Sequence, residues 1–211
     1  MRKIRIFAIS VILLSFAIGI YLYSSMPEKM ASHWNAAGEV NGYMPKFWGV
    51  FLMPFISAGL FLLFLAIPKI DPMKENIGKF RKYYDNFVAL IICFMLYIYL
   101  LSIYWNTGAR FDMTRFMVPA LGLLFYYSGV LIGHAKRNWF IGIRTPWTLS
   151  SDRVWDATHK VGGKLFKLAG VAALLGIFFE KYAIWIVILP VMLAAVYTVI
   201  YSYVLWKNEK K

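Results

Sequence analysis

The chain has 211 residues, of which 61% are hydrophobic, 18% aromatic and only 16% charged, and its mean hydropathy is +0.61. Soluble domains carry about 25% charged residues, so a water-soluble globule is excluded and a multi-pass protein of the cell (plasma) membrane is expected. The formal charge of +13 would suggest nucleic acid in a soluble protein, but here the basic residues flank apolar runs. Membrane topology and anionic lipid headgroups account for them, and no direct nucleic-acid binding is expected.

Residues 6–26 contain no charge, and an α-helix of that length, rising about 1.5 Å per residue, crosses roughly 30 Å of hydrocarbon. Arg2, Lys3 and Arg5 precede the run, as in a signal peptide. It is longer than an ordinary signal-peptide core, however, and no small-residue cleavage site follows, which predicts a retained first span. Residues 27–46 hold turn signals at 35–38 and at Asn41-Gly42, the dipeptide that favours a tight hairpin turn, so a small hairpin or capped loop is expected.

The second span covers residues 47–68, with Pro54 and Gly59 predicting a kink. Residues 69–85 read as a short surface segment of mixed charge, and residues 86–108 as the third span. A turn bearing Arg110, Asp112 and Arg115 leads to the fourth, residues 116–135. There Gly129 and Gly133 form a small-xxx-small pair that lets a neighbouring helix approach.

The stretch that follows, NWFIGIRTPWTLSSDRVWDATHKVGGK at residues 138–164, is too rich in tryptophan, glycine and charge for a plain connector. Ser150 or Ser151 caps a helix with Asp152 in its first turn. Trp155, Thr158, His159 and Gly162 then share one face, while Arg153, Asp156, Lys160 and Lys164 occupy another. An amphipathic helix lying in the inner interface is expected, with Gly162-Gly163 bending the chain into a short fifth span at residues 165–179. The sixth span, residues 182–206, has Tyr182 and Trp185 at one end and Tyr201, Tyr203 and Trp206 at the other, as interfacial aromatic belts require.

The fold class is therefore an all-α integral membrane protein with six transmembrane helices. If the N-terminus is cytosolic, 18 of the 23 Lys and Arg flank the inner segments, which predicts both termini inside, residues 27–46 outside and the 138–164 stretch inside. Three units are expected: an N-terminal helix–loop–helix at 1–68, a linker with the third span at 69–115, and a C-terminal unit at 116–211.

Arg144, Thr145, Thr148 and the capped helix start place a guanidinium, hydroxyls and free amides together, a set suited to an anion such as a lipid phosphate. The alternative is that Arg144 neutralises Asp152 or Asp156 and the hydroxyls finish the turn. Trp139 and Trp155 read as interfacial anchors, and Trp147, directly after Pro146, as a residue packing into the bundle mouth. His159 has no second histidine or cysteine at ligand spacing, His134 ends a span as an interfacial packing residue, and the lone Cys93 pairs with nothing. No metal, cofactor or catalytic site is expected. In the outer loop, His33, Asn35, Glu39 and Lys46 form either a recognition surface or a solvated loop with Trp34 and Tyr43 on the headgroups. The spans lack an ionisable residue at mid-depth, which disfavours an ion-coupled carrier.

The sequence NWFIGIRTPWTLSSDRVWDATHKVGG resembles the signature of the SdpI family, bacterial membrane proteins named for immunity to a secreted peptide toxin. Asn138, Gly142, Arg144, Thr145, Pro146, Trp147, Thr148, Trp155, Thr158, His159, Gly162 and Gly163 fit that pattern, and His134 departs from the asparagine expected there. The outer segment resembles the uncharacterised domain that often precedes it, through Pro27, His33, Trp34, Asn35, Gly38, Gly42, Tyr43 and Lys46, with Asn41 where aspartate is common. The resemblance implies non-catalytic binding of a membrane-active peptide toxin, giving resistance or sensing, with the signature residues and His33, Asn35, Gly38 and Lys46 as binding residues. It also implies a cytosolic repressor as a partner. Two other readings stand beside it: a small transporter built from two inverted three-helix halves, and a membrane enzyme using Arg144, Asp156 and His159.

Overall fold

The computed structural model describes residues 2–179 and 182–209. Six of its helices are long and apolar enough to cross a membrane. Lipid offers no partner for backbone amides, so each crossing must satisfy its own, and an uninterrupted helix does so. The spans are α1 (Arg2–Leu22), α2 (Lys46–Ile70), α4 (Arg81–Asn106), α5 (Met113–His134), α7 (Asp152–Ala173) and α8 (Ala183–Glu209), with 3-10 turns at Tyr23–Ser25 and Leu174–Phe178. Between them lie the strands β1 (Lys29–Trp34) and β2 (Val40–Pro45) and the short helices α3 (Lys74–Lys79) and α6 (Pro146–Ser150). Large side chains such as Leu13, Ile20, Leu62 and Leu193 face outward, as lipid contact requires.

The spans assemble as two triplets, α1–α2–α4 and α5–α7–α8, joined through α4 and α5. A core beginning at Ala8, Ile12 and Phe61 in the first triplet continues through Phe80, Tyr84, Leu131 and Ile141 to Trp155 in the second. The two triplets thus share a core at the end where the 138–164 stretch lies.

Within the second triplet, α5 and α7 run with their backbones nearly touching. A Cβ added at Gly129 would meet the Lys167 nitrogen at 2.6 Å and the Gly163 oxygen at 2.7 Å, and one added at Gly163 would meet the Gly129 oxygen at 2.8 Å. One turn-pair further on, a Cβ at Gly122 would lie 2.9 Å from the Gly170 oxygen. The seam therefore follows a seven-residue spacing on both helices, Gly122–Gly129 against Gly163–Gly170. Gly133, the other member of the expected small-xxx-small pair, sits at the rim, where a Cβ would find only the Gly163 Cα at 3.8 Å.

Three expectations change. The interfacial helix and bend are replaced by one continuous helix, α7, running from Asp152 through Gly162 and Gly163 to Ala173. Those glycines are consumed by packing, Gly163 on Gly133 and Gly129, Gly162 on Ile143. The hairpin exists, but its turn lies at residues 35–38 and Asn41-Gly42 falls inside β2, opposite a bulge at His33. The segment 69–85 is not merely surface: Asp71, Ile77 and Phe80 are buried, and α4 already begins at Arg81.

Candidate functional site

The two long excursions lie at opposite ends of the bundle, the hairpin between α1 and α2 and the loop of residues 135–151 between α5 and α7. The loop is built around Asn138, which is wholly buried. Its Nδ2 donates to the carbonyls of Lys136 (2.8 Å) and Ile141 (2.9 Å), and its Oδ1 accepts from the amides of Phe140 (2.9 Å) and Ile141 (2.6 Å). One side chain thereby satisfies both halves of a turn that has no regular structure to do so.

Gly142 follows in the left-handed region, φ 112°, and an added Cβ would strike His159 Nε2. That nitrogen accepts the Ile143 amide (3.0 Å), while Nδ1 lies 2.8 Å from the Trp155 carbonyl. An amide can only donate and a carbonyl only accept, so the two contacts fix the tautomer with hydrogen on Nδ1. The imidazole stacks on Trp155 at 3.9 Å, and Trp155 Nε1–H donates to the Ala135 carbonyl at 2.8 Å. Trp155 is therefore a core residue rather than an interfacial anchor.

Thr145 caps α6, accepting the Thr148 amide at 3.1 Å, while Thr148 Oγ1 accepts the Thr145 amide at 2.9 Å and donates to the Ile143 carbonyl at 2.9 Å. Pro146 occupies the first helical position, where its missing N–H costs nothing. Ser202 donates to the Val199 carbonyl (2.7 Å), so its oxygen receives the Thr145 hydroxyl (3.1 Å) and ties the loop to α8. Trp147 packs on Tyr203 of the same helix at 5.1 Å, in the bundle mouth as expected.

The hydroxyls expected to join Arg144 around an anion are thus turned inward on one another. Arg144 is exposed and donates to the Trp139 carbonyl at 2.6 Å. It neutralises neither aspartate: Asp152 lies 2.9 Å from Arg137 Nε in an ion pair, and Asp156 pairs with Lys136 at 3.1 Å. Thr158, Gly162 and Gly163 are buried on the bundle-facing side of α7, and Thr158 Oγ1 has no hydrogen-bond partner.

Sequence reasoning missed the residues that hold this loop from outside. Asp71, 2% exposed just after α2, accepts the Trp139 amide at 2.9 Å and the Met73 amide at 2.6 Å. Asn76 donates to the Arg137 carbonyl at 2.9 Å. The available signal was an aspartate beside a proline at the end of a span; nothing in the sequence names its partner 68 residues away.

At the other end, Asn35 Oδ1 accepts the amides of Ala37 (2.9 Å) and Glu39 (3.0 Å), and Gly38 supplies the positive φ of 77° that closes the turn. His33 Nδ1–H donates to Asn41 Oδ1 at 2.5 Å across the bulge. Lys46 pairs with Glu28 at 2.8 Å. Of the expected outer set, His33, Asn35 and Gly38 thus belong to the hairpin's tip and bulge, and Lys46 to its base. The hairpin is pinned by Asn106 at the end of α4, whose amide bonds both the N–H (2.8 Å) and the carbonyl (3.0 Å) of Ala31. Its tip rests on Asp112, the N-cap of α5: a Cβ at Gly38 would lie 2.5 Å from Oδ1. A cavity of about 450 Å³ opens beneath, walled by Trp34, Ile98, Ser102, Met113, Met117 and Ile184 among others.

Six spans with one end sealed by a hairpin and the other by a clamped tryptophan-rich loop define a multi-pass membrane protein. Residues 134–202 match the SdpI/YfhL protein family, and residues 10–58 match a domain of unknown function, DUF1648. The chain is 27% identical to the Immunity protein SdpI of Bacillus subtilis (strain 168) over 207 residues, covering 98% of this chain and 97% of that protein. No solved structure matches it.

Proposed function

We propose that this chain is a membrane immunity protein that resists, or senses, a secreted membrane-active peptide by binding it without catalysis. The observation that carries this reading is the end-to-end likeness to an immunity protein, 27% identity over 98% of the chain, which takes in both the hairpin and the clamped loop. The polar atoms of Arg144, Asp156 and His159 are engaged with three separate partners rather than gathered on one point, which speaks for binding over the enzyme reading. With both termini in the cytosol, the hairpin and its cavity face the side from which a secreted peptide arrives. The clamped loop then faces the anionic headgroups of the inner leaflet and any cytosolic repressor.

The test is expression in a toxin-sensitive bacterium lacking its own immunity protein, challenged with the peptide toxin of the namesake system. Expression should raise survival clearly above the empty-vector control. Unchanged survival, with the protein verified in the membrane, overturns the proposal.

A further inference from the structure

We propose that the outer cavity is the seat of an apolar segment of the bound peptide, an inference that rests on the immunity reading and gives it a location. The cavity, about 450 Å³, falls within the roughly 300–1,000 Å³ common for ligand sites. Its walls come from the hairpin and from both triplets: Trp34 from β1, Ser102 from α4, Met117 from α5 and Ile184 from α8. A ligand lodged there touches every part of the outer end at once. Methionine supplies an adaptable apolar lining suited to side chains of more than one shape.

The chemistry of the wall favours peptide over a lipid tail. Trp34 Nε1–H is buried without a hydrogen-bond partner, and hydrocarbon offers it none, whereas a peptide backbone brings carbonyls. Hydroxyls of Ser102 and Thr114 sit in the same lining. His33, Asn35 and Ala36 add a polar, partly exposed mouth to an apolar interior, matching a peptide that enters from water and leaves its polar part there.

The experiment uses the full chain in phospholipid nanodiscs, with Met117→Cys in a Cys93→Ser background, and times alkylation by N-ethylmaleimide with and without the namesake toxin. Survival of cells expressing the same variants is scored in parallel. With toxin about tenfold above its Kd, alkylation should slow roughly tenfold. Ser102→Phe, which fills the cavity, should abolish both the slowing and the protection. Trp34→Phe should weaken binding about fivefold; because the lost N–H had no partner in the free protein, any fall in thermal unfolding reports only the reduced packing on Trp105. If wild-type cells survive but toxin does not slow alkylation, the seat lies elsewhere and the immunity reading stands. If toxin slows alkylation but cells die, the seat stands and immunity fails. Alkylation already slow without toxin, and released on exchange into short-chain detergent, identifies a lipid tail as the occupant and overturns the proposal.

Discussion

Replacing Gly129 by alanine tests whether the α5–α7 seam holds the second triplet together. The new methyl would sit 2.6 Å from the Lys167 nitrogen and 2.7 Å from the Gly163 oxygen. Both are backbone atoms of a continuous helix, so no side chain can swing aside and one whole helix must shift. Overpacking of this kind costs about 1–3 kcal/mol. In lipid the loss is not recovered elsewhere, because helix association depends on close packing rather than on water exclusion. Gly133→Ala is the control on the same helix face: its methyl meets only the Gly163 Cα at 3.8 Å, ordinary contact. Relief of the glycine helix penalty, up to about 1 kcal/mol, then leaves it neutral or stabilising. At about 2–4 °C per kcal/mol for a chain of this size, thermal unfolding in a mild detergent should show Gly129→Ala several degrees below wild type and Gly133→Ala at or above it. Equal melting of the two variants would refute the seam.

Three further outcomes follow from the pinned ends. Asn138→Asp keeps the two acceptor contacts but turns a carboxylate oxygen toward the carbonyls of Lys136 and Ile141. The loss of two donated bonds costs at least about 2 kcal/mol, read as faster limited proteolysis within residues 135–151. Asn106→Leu removes both bonds to Ala31, and hydrogen exchange in β1 should rise by about tenfold or more while α7 stays protected. In a Cys93→Ser background, an impermeant maleimide applied to intact cells should label Glu39→Cys and spare Ser150→Cys, both exposed positions; the reverse pattern inverts the proposed orientation.

The spans other than the fifth were legible because each is a long charge-free run, a property that lipid imposes residue by residue without regard to partners, whereas α7 carries charge from Asp152 to Lys167 and its first half was read as interfacial. The hairpin was legible as a hairpin but not in detail. Asn41-Gly42 carries the stronger turn signal, yet Asn35 bonds two amides ahead of it and Gly38 supplies the left-handed residue, so the chain reverses earlier and Gly42 is left opposite His33. At Gly162-Gly163 the local signal for a bend was real and was overridden. The same missing side chains are needed to bring α7 against α5 and Ile143, and tertiary packing won. Trp155 was placed at the interface because tryptophan favours it, but stacking on His159 and donation to Ala135 give the ring a complete set of partners inside.

What no single sequence discloses is that each excursion leans on the opposite triplet. The clamped loop follows α5, yet Asp71 and Asn76, just beyond α2, hold its Trp139 amide and Arg137 carbonyl. The hairpin follows α1, yet its tip rests on Asp112 at the start of α5, and its cavity is closed by α5 and α8. Such reciprocal contacts make the relative placement of the triplets a condition for both ends at once. A ligand that wedges into the outer cavity presses on α5 and α8, and the far ends of those helices carry Ala135, which receives Trp155, and Ser202, which receives Thr145. On the proposed reading, no separate relay is needed between the cavity and the 135–151 loop, because α5 and α8 line the one and hold the other.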